Sequence, residues 1–181
     1  MTKRKFDTKG SILSTEILVK QVKALSSKNS NHFNQILSQI NLSPEWIESM
    51  VPRVIPRDRY DRRLLNRGKD YEIVIATWPK GVSTLIHDHG ASQSQGAVRV
   101  LRGEIFNHTY NKVNENQVSP DLELVHKQGE LIDVPQGLIH AMGNNTEDCF
   151  SMSLHIYTPA IVNVTYWDRE TLTRVKQQAV S

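Results

Sequence analysis

The sequence predicts a mainly β protein, a jelly-roll β-barrel with a helical segment at its N-terminus. The first observation is a series of roughly eight short runs rich in β-branched and aromatic residues and separated by turns, a pattern that favours a sandwich or a barrel. The second is that apolar residues before residue 52 recur at helical spacing. We expect one domain over residues 1–181, with a helical segment at 1–51, the barrel at 52–167 and an aperiodic tail at 168–181.

The helical segment divides into three predicted helices. Apolar residues recur at helical spacing over residues 14–28 and again over residues 32–40. Ser43 then supplies an N-cap and Pro44 a first-turn proline for a third helix that ends near Met50. The prolines that follow favour extended chain, so the β region begins there.

The barrel is predicted from short runs of strand-forming residues. Gly103 marks a tight turn between two of these runs, and the polar residues 111–121 predict a hairpin loop. The predicted strands cover residues 71–78, 82–89, 96–101, 104–110, 122–126, 130–134, 149–157 and 162–167.

Composition and charge exclude several classes of function. Hydrophobic residues make up 38% and charged residues 23% of the chain, which is typical of a globular domain. No segment approaches the about 20 apolar residues of a membrane span, and no apolar run follows the basic N-terminus as in a secretory signal. We therefore expect a cytoplasmic protein without a membrane partner. The cationic surplus of 22 − 19 = 3 is too small to favour nucleic acid as a partner, and the oligomeric state is left open.

Cys149 is the single cysteine of the chain. An intramolecular disulfide is therefore impossible, and we interpret the residue as a small buried hydrophobe.

Three histidines are the candidate metal ligands. His87 and His89 are one residue apart, so a strand would place both imidazoles on one face and Asp88 on the other. His140 follows a turn predicted at Pro135. Neutral imidazoles that converge in a small barrel suit iron, zinc, nickel or copper. The alternative is that the three histidines are unrelated.

The spacing around these histidines resembles both halves of the cupin signature, over about 64 residues. This resemblance implies a cupin barrel that holds one metal ion. The first half is carried by Gly81, His87 and His89, and the second by Gly129, Pro135, Gly137, His140 and Asn144.

One departure from the cupin pattern concerns a fourth ligand. Most cupins carry a glutamate four or five residues after the second histidine, but residues 90–96 contain no carboxylate, and Glu104 lies beyond the turn glycine. A three-histidine face leaves about three positions of an octahedral ion open, which is room for a chelating substrate and dioxygen.

A wider segment, residues 60–157, resembles the cysteine dioxygenase family of thiol dioxygenases. The resemblance implies Fe(II) bound by His87, His89 and His140. It also implies oxidation of cysteine by O2 to the sulfinate, a step of cysteine catabolism, with the substrate sulfur and amine on the iron.

The resemblance also implies a substrate-binding pair. Tyr60 and Arg62 match the family's Tyr-x-Arg segment, whose arginine holds the substrate carboxylate, and Trp78 falls on a family tryptophan. A guanidinium fits a carboxylate with two parallel hydrogen bonds, and in extended chain Arg63 would point away from Arg62. The alternative is a solvated face, which we expect for Arg53, Arg57, Arg59 and Arg67.

Ser153, His155 and Tyr157 match the family's Ser-His-Tyr network. They alternate along one predicted strand and so share a face. A serine can orient the imidazole, and the imidazole can orient the tyrosine hydroxyl toward the metal. The alternative for His155 is a core histidine with satisfied hydrogen bonds.

Two departures from the family affect the pocket. Mammalian-type members crosslink the active-site tyrosine to a cysteine, and the corresponding position here is Gly96, so we expect Tyr157 to be uncrosslinked. The loop at residues 90–95 also carries an apparent two-residue extension beside the ligands.

Other functions remain as alternatives. Relatives that prefer 3-mercaptopropionate typically place glutamine where Arg62 stands, so arginine favours cysteine, and cysteamine has no carboxylate for Arg62 to bind. A non-catalytic cupin that binds or senses is the alternative from another class. A cupin isomerase or decarboxylase usually keeps the missing glutamate.

Overall fold

Three helices precede a sandwich of two sheets in the computed structural model, which describes residues 8–25, 31–90, 93–147 and 149–179. The helices are α1 (Thr8–Leu25), α2 (Asn31–Gln39) and α3 (Pro44–Ser49), and the end of the predicted helix 14–28 lies outside the described residues.

The start of α3 follows the sequence prediction. Ser43 Oγ accepts a hydrogen bond from the Trp46 backbone N–H at 3.2 Å, and Pro44 stands in the first turn. Trp46 is buried, and its indole N–H donates to Thr15 Oγ1 at 2.9 Å. This contact joins α3 to α1.

Eleven antiparallel strands follow within the described residues and confirm the mainly β class. One sheet has the order β1-β2-β9-β4-β7, and the other has the order β11-β10-β3-β8-β5-β6. The strands are β1 (Asp61–Arg67), β2 (Glu72–Pro79), β3 (Ile86–Asp88), β4 (Gln95–Arg102), β5 (Glu104–Asn114), β6 (Gln117–Lys127), β7 (Leu131–Val134), β8 (Ile139–Gly143), β9 (Phe150–Thr158), β10 (Asn163–Trp167) and β11 (Arg174–Ala179).

The five-stranded sheet is buried on both faces because the helices cover its outer side. Ile73 and Ile75 of β2 pack in one apolar cluster with Leu18 of α1 and Phe33 of α2. Alternate residues of the same strand, among them Trp78, face the space between the two sheets. This explains why all eight residues of β2 are buried, a pattern typical of strands covered on both sides.

Several sequence expectations are corrected by the fold. The loop predicted at residues 111–121 is shorter, because β5 and β6 extend to a turn at Glu115 and Asn116. The predicted tail contains β11, which pairs with β10. Cys149 is exposed, not buried.

The strand count was underestimated because β1, β8 and β11 lack a clear apolar alternation.

Among the described residues, no helix is long and apolar enough to cross a membrane.

Candidate metal centre

His87, His89 and His140 converge between the two sheets. His87 lies in β3 directly opposite His140 of β8, and His89 follows β3 by one residue. One ring nitrogen from each lies within 4.8 Å of the others. His89 and His140 are buried. The structure therefore brings the three predicted ligands together around one point.

The Nδ1 atom of each imidazole faces an oxygen. The acceptors are the Leu85 carbonyl for His87 at 3.0 Å, the Ser94 carbonyl for His89 at 3.3 Å, and Asn107 Oδ1 for His140 at 2.9 Å. Because these oxygens can only accept, each Nδ1 carries the hydrogen, and Nε2 keeps its lone pair for a metal ion.

The environment of His140 is the direct test of whether a metal fits. Its Nε2 atom is buried and has no hydrogen-bond partner among the described residues, and a buried polar atom without a partner is costly unless something binds it. Burial lowers the pKa of His140 well below its ordinary value and lowers the pKa of His89 to about 3. Neutral imidazoles are the form that a divalent transition metal binds, so the donors fit a metal ion.

Asn107 was not predicted from the sequence. It is buried in β5, and β5 pairs with β8 beside His140. The available signal was an asparagine inside an apolar run, since asparagine is depleted in strands.

Ser153, His155 and Tyr157 lie on the interior face of β9 as a hydrogen-bonded chain that begins at Trp78. The Trp78 indole N–H donates to Ser153 Oγ at 2.8 Å, and Ser153 Oγ lies 2.7 Å from His155 Nε2. His155 Nδ1 lies 2.9 Å from the Tyr157 hydroxyl. The alternation predicted from the sequence therefore places all three residues in one network.

The direction of the hydrogen bonds in this chain follows from burial. Ser153 is fully buried and already accepts from the donor-only indole. Its own hydrogen has an acceptor only if it donates to His155 Nε2. His155 then carries its hydrogen on Nδ1 and donates to the Tyr157 oxygen. The Tyr157 O–H is therefore left to donate to whatever occupies the cavity.

The pKa values agree with this direction. Burial, followed by the nearby positive charge of Arg62, lowers the pKa of His155 to about 3, so the ring is neutral near pH 7. Burial also raises the pKa of Tyr157 above its ordinary value, so the phenol keeps its hydrogen.

A cavity of about 330 Å³ opens beside these groups, a volume that suits a small ligand. Tyr60 stacks on Trp78 at its wall, with ring centroids 4.8 Å apart. The cavity is lined by Tyr60, Arg62, Trp78, His87, His89 and Tyr157, among others.

Arg62 faces the cavity but is already paired with a residue that the sequence analysis missed. Its Nη2 atom lies 2.6 Å from Oε1 of Glu72, which is fully buried in β2. The signal was a carboxylate inside an apolar strand, where an unpaired charge is costly. Arg63 points to the other side, as predicted, and donates to the Met50 carbonyl.

The expectation of a solvated arginine face holds for Arg53, Arg57 and Arg59, which are exposed. It holds only in part for Arg67, whose side chain is 42% exposed but whose guanidinium is paired. Arg67 Nη2 lies 3.0 Å from Oε2 of Glu72 and 2.8 Å from the Ile161 carbonyl. The register of β1 against β2 shifts at Leu65, and such a bulge re-aims the residues after it.

Asp88 holds the first residue of the loop beside the ligands, Gly90, by a hydrogen bond. Its Oδ1 atom accepts from the Gly90 N–H at 2.7 Å and from the Thr165 N–H at 3.3 Å, so its carboxylate points away from the imidazoles as predicted. Ala91 and Ser92, part of the predicted loop extension, lie outside the described residues. Glu104 pairs with Lys127 at 3.8 Å and not with the histidines.

Comparison with known proteins identifies one family and the fold. A family model described as cysteine dioxygenase type I matches residues 10–170. A protein with a double-stranded β-helix domain from Klebsiella pneumoniae is similar at 15% identity and a TM-score of 0.54, over 72% of this chain and 93% of that chain. A cupin superfamily protein from Desulfitobacterium hafniense has a TM-score of 0.48 at 16% identity, over 66% of this chain and 92% of that chain. At 15% identity, the likeness to the Klebsiella pneumoniae protein speaks for the fold alone.

Proposed function

Because the chain belongs to the cysteine dioxygenase type I family, whose model it matches over residues 10–170, we propose that it is an Fe(II)-dependent dioxygenase that oxidises L-cysteine to cysteine sulfinate. The reaction adds both atoms of O2 to the sulfur of one thiolate, so it balances without an external reductant. Reduced thiols are plentiful in the cytoplasm, where we place the reaction.

The observation that carries the proposal is the cluster of three imidazoles at one cavity, which His87 and His89 line together with Tyr157. The ring centroids of His89 and Tyr157 lie 4.9 Å apart. Bound Fe(II) would hold the substrate thiolate and supply the activation of O2, which no side chain provides. His87, His89 and His140 are the residues that would hold it.

The remaining residues would position the substrate. Arg62 would bind its carboxylate, and Tyr60, fixed by stacking on Trp78, would close the same wall of the cavity. Tyr157 would donate its O–H toward the reacting atoms because His155 already donates to its oxygen. These contacts contribute to the rate by holding the reactants in one orientation.

A thiol panel combined with metal analysis tests the proposal. Purified protein loaded with Fe(II) should consume O2 with L-cysteine and produce the sulfinate, and zinc-loaded protein should not. Uptake with 3-mercaptopropionate but not with L-cysteine would replace the substrate and keep the reaction class. No uptake with any small thiol, in protein that holds iron, would favour a non-catalytic cupin.

Arg62→Ala tests the carboxylate assignment. The apparent KM for L-cysteine should rise by roughly a factor of ten or more, because a charge-assisted hydrogen bond to the substrate is lost, while the iron content stays unchanged. An unchanged KM would show that the carboxylate binds elsewhere.

A further inference from the structure

Two arginines of β1 share one buried carboxylate of β2. Arg62 pairs with Oε1 of Glu72 and Arg67 with Oε2, and Glu72 is fully buried. We call these three residues the arginine cluster. Its two cations and one anion leave one positive charge unbalanced.

Only one member of the arginine cluster touches the cavity. Arg62 lines it, whereas Arg67 and Glu72 do not, so their effect on a ligand passes through Arg62. Asp58 and Arg59 also line the cavity, but both are exposed and lie 3.8 Å apart. Their charges offset each other, and solvent screens them. The fixed positive charge that a ligand meets, apart from a metal, is therefore that of the arginine cluster.

We propose that Arg67 is a positioning residue that sets selectivity for carboxylate-bearing thiols by sharing the charge of Glu72. The inference rests on the proposed function and extends it. With Arg67 present, one oxygen of Glu72 is engaged elsewhere, and Arg62 keeps donors and a net charge for the substrate carboxylate. Without Arg67, both oxygens of Glu72 could pair with Arg62 alone in the bidentate arrangement that guanidinium favours. The arginine cluster would then be neutral, and Glu72 would compete with the substrate.

The bulge in β1 makes this sharing possible. Arg62 and Arg67 are five positions apart, an odd number that would place them on opposite faces of a regular strand. The register shift at Leu65 corrects the parity, so that Arg62 lies opposite Ala76 and Arg67 opposite Glu72. Both arginines therefore lie on the same face as Glu72, with the Arg67 side chain 42% exposed at its rim and the Arg62 side chain 25% exposed.

Arg67→Gln is the decisive variant, because glutamine can still donate to the Ile161 carbonyl but carries no charge. The readout is the Kd of the Fe(II)-loaded protein for L-cysteine and for cysteamine without O2, followed by KM and kcat in air. We expect the Kd and KM for L-cysteine to rise roughly tenfold, the loss of one charge-assisted hydrogen bond. The Kd for cysteamine, which has no carboxylate, should stay within about twofold, and so should kcat.

The double variant Arg67→Gln with Glu72→Gln distinguishes charge sharing from a structural role. It restores one unbalanced positive charge on Arg62, so the Kd for L-cysteine should return toward the wild-type value. A residue that merely supports the fold would give a double variant weaker than either single one. A Kd that stays raised in the double variant, or that never rises in Arg67→Gln, overturns the proposal.

Glu72→Gln alone provides an independent result if Arg67→Gln does not fold. It keeps both cations, so the Kd for L-cysteine must fall or stay the same, and a rise overturns the proposal. Arg99→Gln is the matched control, since Arg99 donates to the carbonyls of Leu37 and Ile40 at the end of α2 and does not line the cavity. It should lower thermal stability without changing either Kd. The anaerobic Kd values need no turnover, so an inactive wild type would refute the proposed reaction and still leave the charge sharing measurable.

Discussion

Gly96 lies directly opposite Tyr157 in the pairing of β4 with β9, and the space around it is too small for a side chain on residue 96. A Cβ atom on Gly96 would meet the Ile156 carbonyl oxygen at 2.0 Å and Tyr157 Cδ1 at 2.8 Å. Real Cβ atoms do not approach other atoms so closely, so the backbone or the tyrosine ring would have to shift. The tyrosine is therefore oriented by His155 and by packing, and a thioether has no room to form at this position.

Gly96→Cys should therefore fail to give a crosslinked protein. We expect the intact mass after turnover to show no loss of hydrogens, and the unfolding free energy to fall by about 1–3 kcal/mol because of overpacking. Gly96→Ala is the control that adds the Cβ without sulfur and should be destabilised to a similar degree. A crosslinked product with unchanged stability would contradict the geometry.

Trp78→Phe should lower kcat about fivefold to tenfold with little change in KM. The substitution removes the N–H that fixes the Ser153 hydroxyl, so the direction of the hydrogen bonds in the chain can reverse. Tyr157 then donates into the cavity for only part of the time. Steady-state O2 uptake measures both constants. Trp46→Phe is the matched control, because its indole donates to Thr15 outside the barrel; it should lower the melting temperature and leave kcat unchanged.

Asn107→Leu should weaken metal binding by roughly 10–100-fold, as is typical when the partner of a ligating histidine is removed. The reason is that His140 loses the acceptor that holds its ring and its tautomer. Competition with a chelator measures the affinity. Asn107→Asp keeps an acceptor oxygen and should retain most of the metal affinity. An equal loss of affinity in both variants would show that only packing matters.

The metal-free protein should lose stability as the pH falls from about 6.5 toward 3. Histidines in the unfolded chain bind protons near pH 6.5, whereas His89 and His155 in the folded protein do so at about 3. The unfolded state therefore gains protons first, and each of these residues lowers the unfolding free energy by about 1.4 kcal/mol per pH unit in that window. Urea unfolding at a series of pH values measures the slope, and His155→Gln should reduce it. A slope that this substitution leaves unchanged would contradict the low pKa.

Local patterns were the part of the site that the sequence could predict. Ser153, His155 and Tyr157 alternate along one strand, so their common face follows from backbone geometry alone. That His87 and His140 would meet was implied by the resemblance of the glycine, proline and histidine spacing to the cupin signature.

The rest of the site depends on contacts between strands, which a single sequence does not specify. Glu72 lies in an apolar strand, and its partners follow from the register shift at Leu65, so the ion pair between Arg67 and Glu72 was missed. Asn107 meets His140 only because β5 pairs with β8. Cys149 was expected in the core by residue type, yet it lies before β9 on an exposed turn.

The bulge at Leu65 has a consequence for how related sequences should be aligned. A relative could keep the Tyr-x-Arg segment and a second arginine five positions after the first, and still pair this strand without the bulge. The parity of the strand would then change, and the residue equivalent to Arg67 would turn to the helix-covered side. Two chains could therefore score as identical at both arginines and differ in the charge at the substrate site. In this part of the barrel, the register of β1 against β2 decides which charge faces the substrate site, and the identity of the two arginines alone does not.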